Sequence, residues 1–288
     1  MFALDINSSA VQSLIRLALD EDLGGSKDVT TEALVDSSYN VDAKIISREN
    51  CCVSGGPLAA AVFQSIDPAV IYDELIKDGQ TADAGEIVAL IRGSAAAILT
   101  AERTALNFMQ RLCGVASITR SFVEKCKTYG VTVLDTRKTT PGHRLLEKYA
   151  VSCGGGANHR MGLYDRVLIK DNHRGLWRGR NHGMQGLADA VWTARKCYPH
   201  LLIEIEIESL SELEDVLPAS PDWVLLDNMS PELMTECVSL ASGKVKFEAS
   251  GGITLDSVEA VARSGIDAVS LGCLTHSAPS IDLSLELV

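Results

Sequence analysis

The chain has 288 residues, of which 46% are hydrophobic and 22% charged, a composition typical of a folded protein with a packed core. No apolar run reaches the ~20 residues that a membrane helix requires, so the sequence predicts no membrane partner. The formal net charge of −12 argues against binding nucleic acid through a broadly basic surface.

The cellular compartment is predicted from the start of the chain and from its cysteines. The start, MFALDINSSAV, has neither the basic segment nor the continuous apolar core of a secretion signal. The eight cysteines are scattered, without a CxxC pair or a cysteine–histidine spacing typical of zinc sites. We therefore expect a cytoplasmic protein whose cysteines are small buried apolar side chains.

The N-terminal part has the pattern of mixed helices and strands. Its predicted elements are a helix capped by Ser8 or Ser9 and ended by Gly24-Gly25, a strand over 41–47, a helix opened by Pro57, a strand over 86–91 and a helix over 95–111. The last of these is rich in Ala and Leu and meets no Gly or Pro before Gly114.

From residue 131 short apolar strands alternate with helices. The strands are predicted at 131–134, 166–169, 201–207, 223–226, 245–248 and 268–271, and the helices at 185–196, 209–217, 231–240 and 255–263. This alternation is typical of a parallel sheet with right-handed crossovers. We expect a closed or nearly closed α/β barrel, and a doubly wound open sheet is the alternative.

The C-terminal tail differs from the barrel strands. Its sequence IDLSLEL alternates apolar and polar residues, which indicates a half-buried antiparallel strand. We expect this strand to return to the sheet of the N-terminal part. The predicted domains are residues 1–114, joined by the strand in 278–288, and a barrel over residues 115–277.

Groups able to do chemistry follow the predicted strands at their C-terminal ends, where α/β barrels carry their active sites. They are, in chain order, Thr136, Arg137, Lys138, Lys170, Glu204, Glu206, Asp227, Ser250-Gly251-Gly252 and Gly272. One such residue carries little information. Their recurrence after six strands predicts one shared site.

Basic residues are concentrated in one part of this acidic chain. Residues 135–180 contain ten Lys and Arg against four Asp and Glu. The predicted cationic cluster consists of Arg137, Lys138, His159, Arg160 and Lys170. The planar guanidinium pairs with carboxylates in a fixed geometry, so several such groups predict a small substrate with more than one carboxylate.

Glu206 and Asp227 are the acidic counterpart of this cluster. Two carboxylates at neighbouring strand ends can hold Mg²⁺, which prefers oxygen ligands, or accept hydrogen bonds from ribose hydroxyls. Glu204 and Glu208 share one face of the strand with Glu206. We expect Glu204 and Glu208 to be structural or solvated.

A phosphate site is predicted after the last two strands, its usual place in barrels. Ser250-Gly251-Gly252 precedes a helix predicted from Thr254, and backbone N–H groups at a helix N-terminus bind phosphate. Leu271-Gly272-Cys273, on the last strand, contributes to the same site. Gly154-Gly155-Gly156 lacks the strand–GxGxxG–helix context, which argues against a dinucleotide-binding fold.

Several long runs of the chain resemble one known family. Similarity to the quinolinate phosphoribosyltransferase family is carried by TRKTTPGHRLLEKYAVSCGGGANHRMGLYDRVLIKDNH, by ERTALNFMQRLCG before it, and by IEIEIESL, LLDN, EASGGIT and SLGCLTHSAP after it. It extends from about Asp20 to the C-terminus. Cys113 and Met109 depart mildly from the family pattern.

The resemblance implies an N-terminal open-faced α/β sandwich joined to an incomplete α/β barrel. It also implies the conversion of quinolinate and phosphoribosyl pyrophosphate to nicotinate mononucleotide, pyrophosphate and CO₂ in NAD biosynthesis. The implied cofactor is Mg²⁺, and the implied assembly is a homodimer in which Arg103 of one chain completes the site of the other.

Residue roles follow from the same resemblance. The implied substrate-binding residues are Arg103, Thr136, Arg137, Lys138, His159, Arg160, Lys170, Glu206 and Asp227. The implied catalytic residues are Lys138, Lys170, Glu206 and Asp227, of which Glu206 and Asp227 also hold the metal. The implied phosphate-binding residues are Ser250, Gly251, Gly252, Leu271, Gly272, Cys273 and His276.

Three other hypotheses stay open at this point. A protein with the same scaffold can act on another aromatic acid. Lys170 at a strand end is also what a Schiff-base barrel aldolase requires. A phosphosugar-binding protein without catalytic activity would need the cations but not the carboxylates Glu206 and Asp227.

Overall fold

The computed structural model describes residues 4–36, 38–180 and 186–288, with the backbone alone at Arg180. The chain forms two compact units. The first consists of Met1–Arg120, Thr139–Gly155 and Cys273–Val288, and the second of Ser121–Lys138 and Gly156–Gly272. The domain bounds expected from the sequence stay a prediction.

Helices and strands are intermixed along the described ranges. In order they are α1 (Ser9–Leu23), α2 (Val29–Leu34), β1 (Asn40–Ser47), β2 (Cys51–Cys52), α3 (Gly56–Ile66), β3 (Ile71–Glu74), β4 (Thr81–Ala82), β5 (Ile87–Ser94), α4 (Ala95–Cys126), β6 (Thr132–Leu134), α5 (Arg144–Cys153), β7 (Val167–Ile169), α6 (Asp171–Arg180), α7 (Leu187–Cys197), β8 (Ile203–Ile207), α8 (Leu210–Val216), β9 (Trp223–Asp227), α9 (Pro231–Ala241), β10 (Lys246–Ser250), α10 (Val258–Ala262), β11 (Ala268–Ser270), α11 (Cys273–His276) and β12 (Leu283–Leu287). The fold is therefore mixed α/β.

The first unit is built on a four-stranded antiparallel sheet in the order β12-β1-β5-β3. In β1 the side chains of Ala43 and Ile45 are fully buried, which is expected where one face of a sheet packs on a core. The last strand, β12, pairs antiparallel with β1, with Ile45 opposite Leu285. The antiparallel return strand predicted from the alternating tail is confirmed.

The signals at the ends of α1 have the predicted effect. The side chain of Ser8 accepts a hydrogen bond from the backbone N–H of Val11, which satisfies one donor of the first turn. Gly24 ends the helix with φ of 58°, a left-handed conformation that side chains disfavour. Pro57 stands in the first turn of α3, also as predicted.

Helix α4 is almost twice as long as predicted. It continues through Gly114 to Cys126, so the predicted end at residue 111 is wrong. Gly114 does not break the helix; it permits close packing instead. A Cβ at this position would lie 1.8 Å from the carbonyl oxygen of Pro279, a contact that no other residue can make. This proximity in the folded chain has no local sequence signal.

A buried ion pair joins α4 to α5 within the first unit. Arg111 Nη2 donates to Glu147 Oε1 at 2.7 Å, and the Glu147 side chain is only 1% exposed. Thr140 donates to the same carboxylate through its backbone N–H at 3.0 Å and its hydroxyl at 2.8 Å. The guanidinium also donates to the backbone carbonyls of Thr275 and Ala278.

Arg111→Met is expected to destabilise the protein by about 3–5 kcal/mol, because it leaves the buried carboxylate of Glu147 without its cation. Urea denaturation measures the effect. The matched control is Arg92→Met, whose ion pair with Asp42 has both side chains more than half exposed. Such a surface pair is expected to contribute about 0–1 kcal/mol. Equal losses from the two substitutions would contradict the prediction.

The second unit contains a six-stranded parallel sheet in the order β6-β11-β10-β9-β8-β7. Strands β6 and β7 are its two edges, so the sheet is an incomplete barrel, as the family resemblance implies. All six predicted strands are found, each within two residues of its predicted bounds. The predicted helices correspond to α7–α10, and Gln185 at the start of the first lies outside the described residues.

The prediction for the cysteines is confirmed in part. All eight are free thiols, and six are buried. Cys197 is exposed and Cys273 is partly exposed, so the expectation is wrong for these two residues. Within the described ranges, no helix combines the length and the apolar character needed to cross a membrane.

Candidate active site

The parallel sheet of the second unit carries most of the predicted site residues to the C-terminal ends of its strands. They follow or end the strands in this way: Thr136, Arg137 and Lys138 after β6, Lys170 after β7, Glu206 in β8, Asp227 at the end of β9, Ser250 at the end of β10, and Leu271-Gly272 after β11. Parallel strands share one C-terminal edge, so these groups occupy the same edge of the sheet.

An ion pair links the ends of β7 and β8. Lys170 Nζ donates to Glu206 Oε2 at 2.8 Å, and the backbone N–H of Asp171 donates to Glu206 Oε1 at 3.2 Å. The carboxylate is 5% exposed, whereas the lysine side chain is 45% exposed and faces solvent in part. An amine held as the ammonium partner of a carboxylate is a poor nucleophile, which disfavours the aldolase hypothesis.

Asp227 lies beside this pair. Burial, followed by the negative charge of Glu206, raises the pKa of Asp227 above its ordinary value, and the side chain of Asn228 partly opposes this. The side-chain amide of Asn228 donates to Asp227 Oδ2 at 2.8 Å. Two carboxylates are therefore held close enough to repel each other, an arrangement that favours a cationic ligand.

Two of the predicted cations are neighbours. Burial, followed by the positive charge of Arg137, lowers the pKa of the Arg160 guanidinium. Arg160 is held by a hydrogen bond from its Nη1 to the carbonyl of Arg166 at 3.2 Å. Next to them, the backbone N–H of Lys138 donates to the Thr136 hydroxyl at 3.0 Å. Like charges that are kept together in this way favour an anionic ligand.

The loop that carries His159 is fixed by a residue that the sequence did not single out. Asp135, fully buried after β6, accepts hydrogen bonds from the backbone N–H of His159 at 3.0 Å and from the Asn158 amide at 2.6 Å. His159 itself is only 7% exposed. An aspartate directly after a buried strand was the available signal for this role.

The carboxylates flanking Glu206 differ from each other. Glu204 is fully buried and accepts from His159 Nε2 and Arg166 Nη1, each at 3.1 Å. Burial raises its pKa, but these hydrogen bonds outweigh burial and the net shift is downward. Glu208 has a side chain that is 58% exposed and pairs with Arg174 at 2.7 Å.

The glycines after β10 form a tight turn. Gly251 and Gly252 have φ of 95° and 60°, in the left-handed region. A Cβ on Gly251 would lie 2.2 Å from the side-chain oxygen of Asn228, so the glycine permits the close approach of the β9 loop. The helix predicted from Thr254 is wrong in its start, because α10 begins at Val258 after a turn.

Three predicted site residues belong to the first unit. Arg103 lies on α4, where it is exposed and lines a cleft of about 510 Å³ between α1, α4 and α5. Cys273 begins the short helix α11 and His276 ends it. His276 is exposed, and its Nδ1 lies 2.6 Å from the hydroxyl of Ser277.

The sequence matches the two domain models of one known protein family. Residues 28–113 match the model of the quinolinate phosphoribosyl transferase N-terminal domain, and residues 115–286 match that of the C-terminal domain. The chain is 37% identical over 283 residues to a probable nicotinate-nucleotide pyrophosphorylase [carboxylating] of Bacillus subtilis (strain 168), covering 98% of this chain and 95% of that one.

Two further proteins with names from the same family are similar to this chain over most of its length. A quinolinate phosphoribosyltransferase [decarboxylating] 1b of Nicotiana tabacum is 35% identical over 292 residues, with 96% of this chain and 82% of the relative covered. The solved nicotinate-nucleotide pyrophosphorylase of Francisella tularensis superposes with a TM-score of 0.90 at 39% identity, over 100% of both chains. The chain therefore belongs to the quinolinate phosphoribosyltransferase family.

Proposed function

We propose that the protein is a cytoplasmic enzyme that converts quinolinate and phosphoribosyl pyrophosphate to nicotinate mononucleotide, pyrophosphate and CO₂. The observation that carries this proposal is the shared edge of the parallel sheet, where Glu206 and Asp227 lie beside the cation Lys170. A simple anion-binding site would need the cations alone. The two carboxylates are what a reaction with developing positive charge requires.

Quinolinate, a dicarboxylate, would be bound by the cations of this edge. The adjacent guanidinium groups of Arg137 and Arg160 offer several N–H donors in fixed planes, which suits the pairing of carboxylates. Lys138 and Lys170 would add point charges. The turn at Gly251-Gly252, which has no Cβ atoms, leaves backbone N–H groups accessible to a phosphate.

In the first step the pyridine nitrogen bonds to the anomeric carbon while the bond to pyrophosphate breaks. The sugar passes through a state with positive charge on its ring, and the anionic side chains of Glu206 and Asp227 stabilise that charge. In the second step the cationic pyridine ring withdraws electrons, so the adjacent carboxylate leaves as CO₂ and a proton takes its place. The protein mainly positions the substrates and neutralises their charge.

Glu206 and Asp227 also fit Mg²⁺. Both are oxygen donors, and the raised pKa of Asp227 reports burial and repulsion from Glu206, which a bound cation would relieve. The ion would neutralise negative charge on the departing pyrophosphate. Lys170, which already pairs with Glu206, would share that carboxylate with the ion.

We also propose a homodimer in which Arg103 serves the site of the partner chain. The side chain of Arg103 is exposed, and it forms no hydrogen bond or ion pair with the residues that the structure describes. The cleft beside it combines apolar side chains of α1 and α4, among them Leu14, Leu17 and Phe108, with polar and charged ones. An unpaired guanidinium beside a cleft of mixed apolar and polar side chains is suited to an interface with a second copy.

The direct test is to incubate the purified protein with quinolinate, phosphoribosyl pyrophosphate and Mg²⁺. We expect CO₂ and nicotinate mononucleotide in equal amounts, and no product when Mg²⁺ is chelated. If another aromatic acid gave product and quinolinate did not, the assigned substrate would be wrong but the assigned class of reaction would stand. Trapping of a substrate on Lys170 by borohydride would support the aldolase hypothesis instead.

Nicotinate, which has one carboxylate fewer, is expected to be a poor substrate. Removing that group leaves cations of the site without a partner, at a cost of about 3 kcal/mol or more, so kcat/KM should fall at least about 100-fold. Parallel assays with quinolinate and nicotinate measure this ratio. Equal turnover of the two acids would contradict the dicarboxylate assignment.

A further inference from the structure

Two carboxylates, an imidazole and a guanidinium meet in the interior of the parallel sheet, where barrels ordinarily hold branched aliphatic side chains. Glu204 of β8 and Glu248 of β10 lie on either side of β9, and both are fully buried. His159 and Arg166 reach them from the segment before β7. Burial of two carboxylates is costly unless they are paired or protonated.

The hydrogen bonds of His159 define its tautomer. The backbone N–H of Arg160 points at His159 Nδ1 at a distance of 2.7 Å. A backbone N–H can only donate, so Nδ1 must accept and carries no proton. The ring proton is therefore on Nε2, which donates to Glu204 Oε2 at 3.1 Å. A doubly protonated ring would place two N–H groups against each other, so the imidazole is neutral.

Glu248 completes the cluster as a carboxylic acid. Its Oε2 lies 3.5 Å from His159 Nε2, and the closest oxygens of the two carboxylates and the ring nitrogen all lie within 4.8 Å of one another. Within the described ranges, no group meets Glu204 Oε1 or either oxygen of Glu248 with the geometry of a full hydrogen bond. A proton on Glu248 supplies this pair of side chains with a donor.

The surroundings of Glu248 favour that proton. Burial, followed by the negative charge of Glu204, raises the pKa of Glu248 well above its ordinary value, although Ser270 and Arg166 oppose the shift. The facing groups are thus one carboxylate, one hydroxyl, one guanidinium and one neutral imidazole. With Glu248 protonated, Arg166 and Glu204 balance each other and the cluster has no net charge.

From this geometry we propose that Glu204 and Glu248 are positioning residues for the substrate-binding segment, an inference whose kinetic part rests on the proposed function. They hold His159 as the neutral Nε2–H tautomer, and His159 Nδ1 in turn anchors the backbone of Arg160. The anchor is needed because Arg160 lies beside the like-charged Arg137, which repels it. In this role His159 orients a cation and is not itself a cation of the site.

The tautomer is tested without any substrate, by ¹⁵N NMR of protein labelled at its six histidines. His159 is assigned by comparison with His159→Asn. We expect one unprotonated nitrogen, Nδ1, and one protonated nitrogen, Nε2, at neutral pH. A doubly protonated ring, or a proton on Nδ1, would overturn the proposal whatever the enzyme does.

The positioning role is tested by Glu204→Leu and Glu204→Gln, because glutamine keeps an acceptor for Nε2–H and leucine does not. For the leucine variant we expect the His159 signals to change and the KM for quinolinate to rise at least about tenfold, while the KM for phosphoribosyl pyrophosphate stays within about twofold. The glutamine variant should recover most of the loss. Glu236→Gln, an exposed carboxylate of α9, is the control for charge removal.

Glu248→Gln tests the proton, since an amide has nearly the shape of a carboxylic acid and cannot ionise. When the pKa of a group is higher in the folded protein than in the unfolded one, the stability that the group contributes is fully present below the unfolded pKa. This contribution is lost as pH rises towards the folded pKa. We therefore expect the thermal midpoint of the variant to gain on that of the wild type from pH 5 to pH 8. A difference that does not change with pH would show that Glu248 is ionised and would overturn its assignment.

The outcomes separate this inference from the proposed function. If no variant and no wild-type protein turns over quinolinate, the proposed function fails, while the NMR and thermal results still decide the tautomer and the proton. If Glu204→Leu does not fold, Glu204→Gln and the wild-type NMR spectrum carry the test. If Glu204→Leu were fully active and its His159 spectrum were unchanged, Glu204 would have no positioning role.

Discussion

Asp227→Ala is expected to lower kcat by about 10²–10³-fold, because it removes one of two anionic groups that face the developing positive charge of the ribosyl ring. Quinolinate binding should change little, since its carboxylates are bound by cations on other strands. The Kd for quinolinate, measured by calorimetry without phosphoribosyl pyrophosphate, is expected to stay within about twofold of wild type.

Glu206→Ala has a related but distinguishable expected effect. It removes the second carboxylate and also frees Lys170, which donates to Glu206 at 2.8 Å. The loss in kcat should resemble that of Asp227→Ala, whereas the Kd for quinolinate should change as well, because the freed ammonium is available to its carboxylates. Glu236→Ala, on an exposed helix face, is the control. If Asp227→Ala abolished quinolinate binding and spared the chemistry, the assigned roles would be reversed.

Arg103→Ala and Lys138→Ala are each expected to be nearly inactive alone and to recover activity when mixed. In a two-fold symmetric dimer, one hybrid site would carry both wild-type residues and the other neither. Random exchange places about half of the dimers in the hybrid form, so activity should approach about a quarter of wild type. The measurement is nicotinate mononucleotide formation after the two variants have exchanged subunits.

This experiment needs proof that exchange took place. Differently tagged variants show it through co-purification of the two tags. The matched control is a mixture of Lys138→Ala with Arg137→Ala, two neighbours that one chain supplies to the same site, so each site of a hybrid dimer still lacks one of them. That mixture is not expected to recover. If Arg103→Ala with Lys138→Ala also failed to recover despite exchange, Arg103 would act within its own chain or not at all.

Local signals were sufficient to predict much of the fold. Ser8 and Gly24 defined α1 because capping depends on the residues at the helix ends themselves. The apolar strands of the second unit were visible because strands of a parallel sheet are buried on both faces. Helix α5 was not predicted, because its inward face carries the fully buried Lys148 and the buried Glu147 and therefore lacks the apolar pattern of a buried helix face.

The part of the candidate site that depends only on the order of the strands could be predicted from the sequence. Residues after consecutive strands had to share one edge of a parallel sheet, so Lys170, Glu206 and Asp227 could be grouped without a structure. The role of Glu248 could not be predicted. In the sequence KFEAS it resembles an ordinary polar residue of a strand, and its meaning comes from Glu204, two strands and 44 positions away in the same sheet.

The pairing of β1 with β12 constrains how the chain can fold during its synthesis. Residues Asn40–Ser47 leave the ribosome long before the strand that covers their edge, Leu283–Leu287, has been made. Pairing between such distant segments is intrinsically slow. Until Leu283–Leu287 has been made, β1 exposes unpaired backbone groups that a second nascent chain can bind, so chains cut short before Leu283 should be the ones most prone to aggregate.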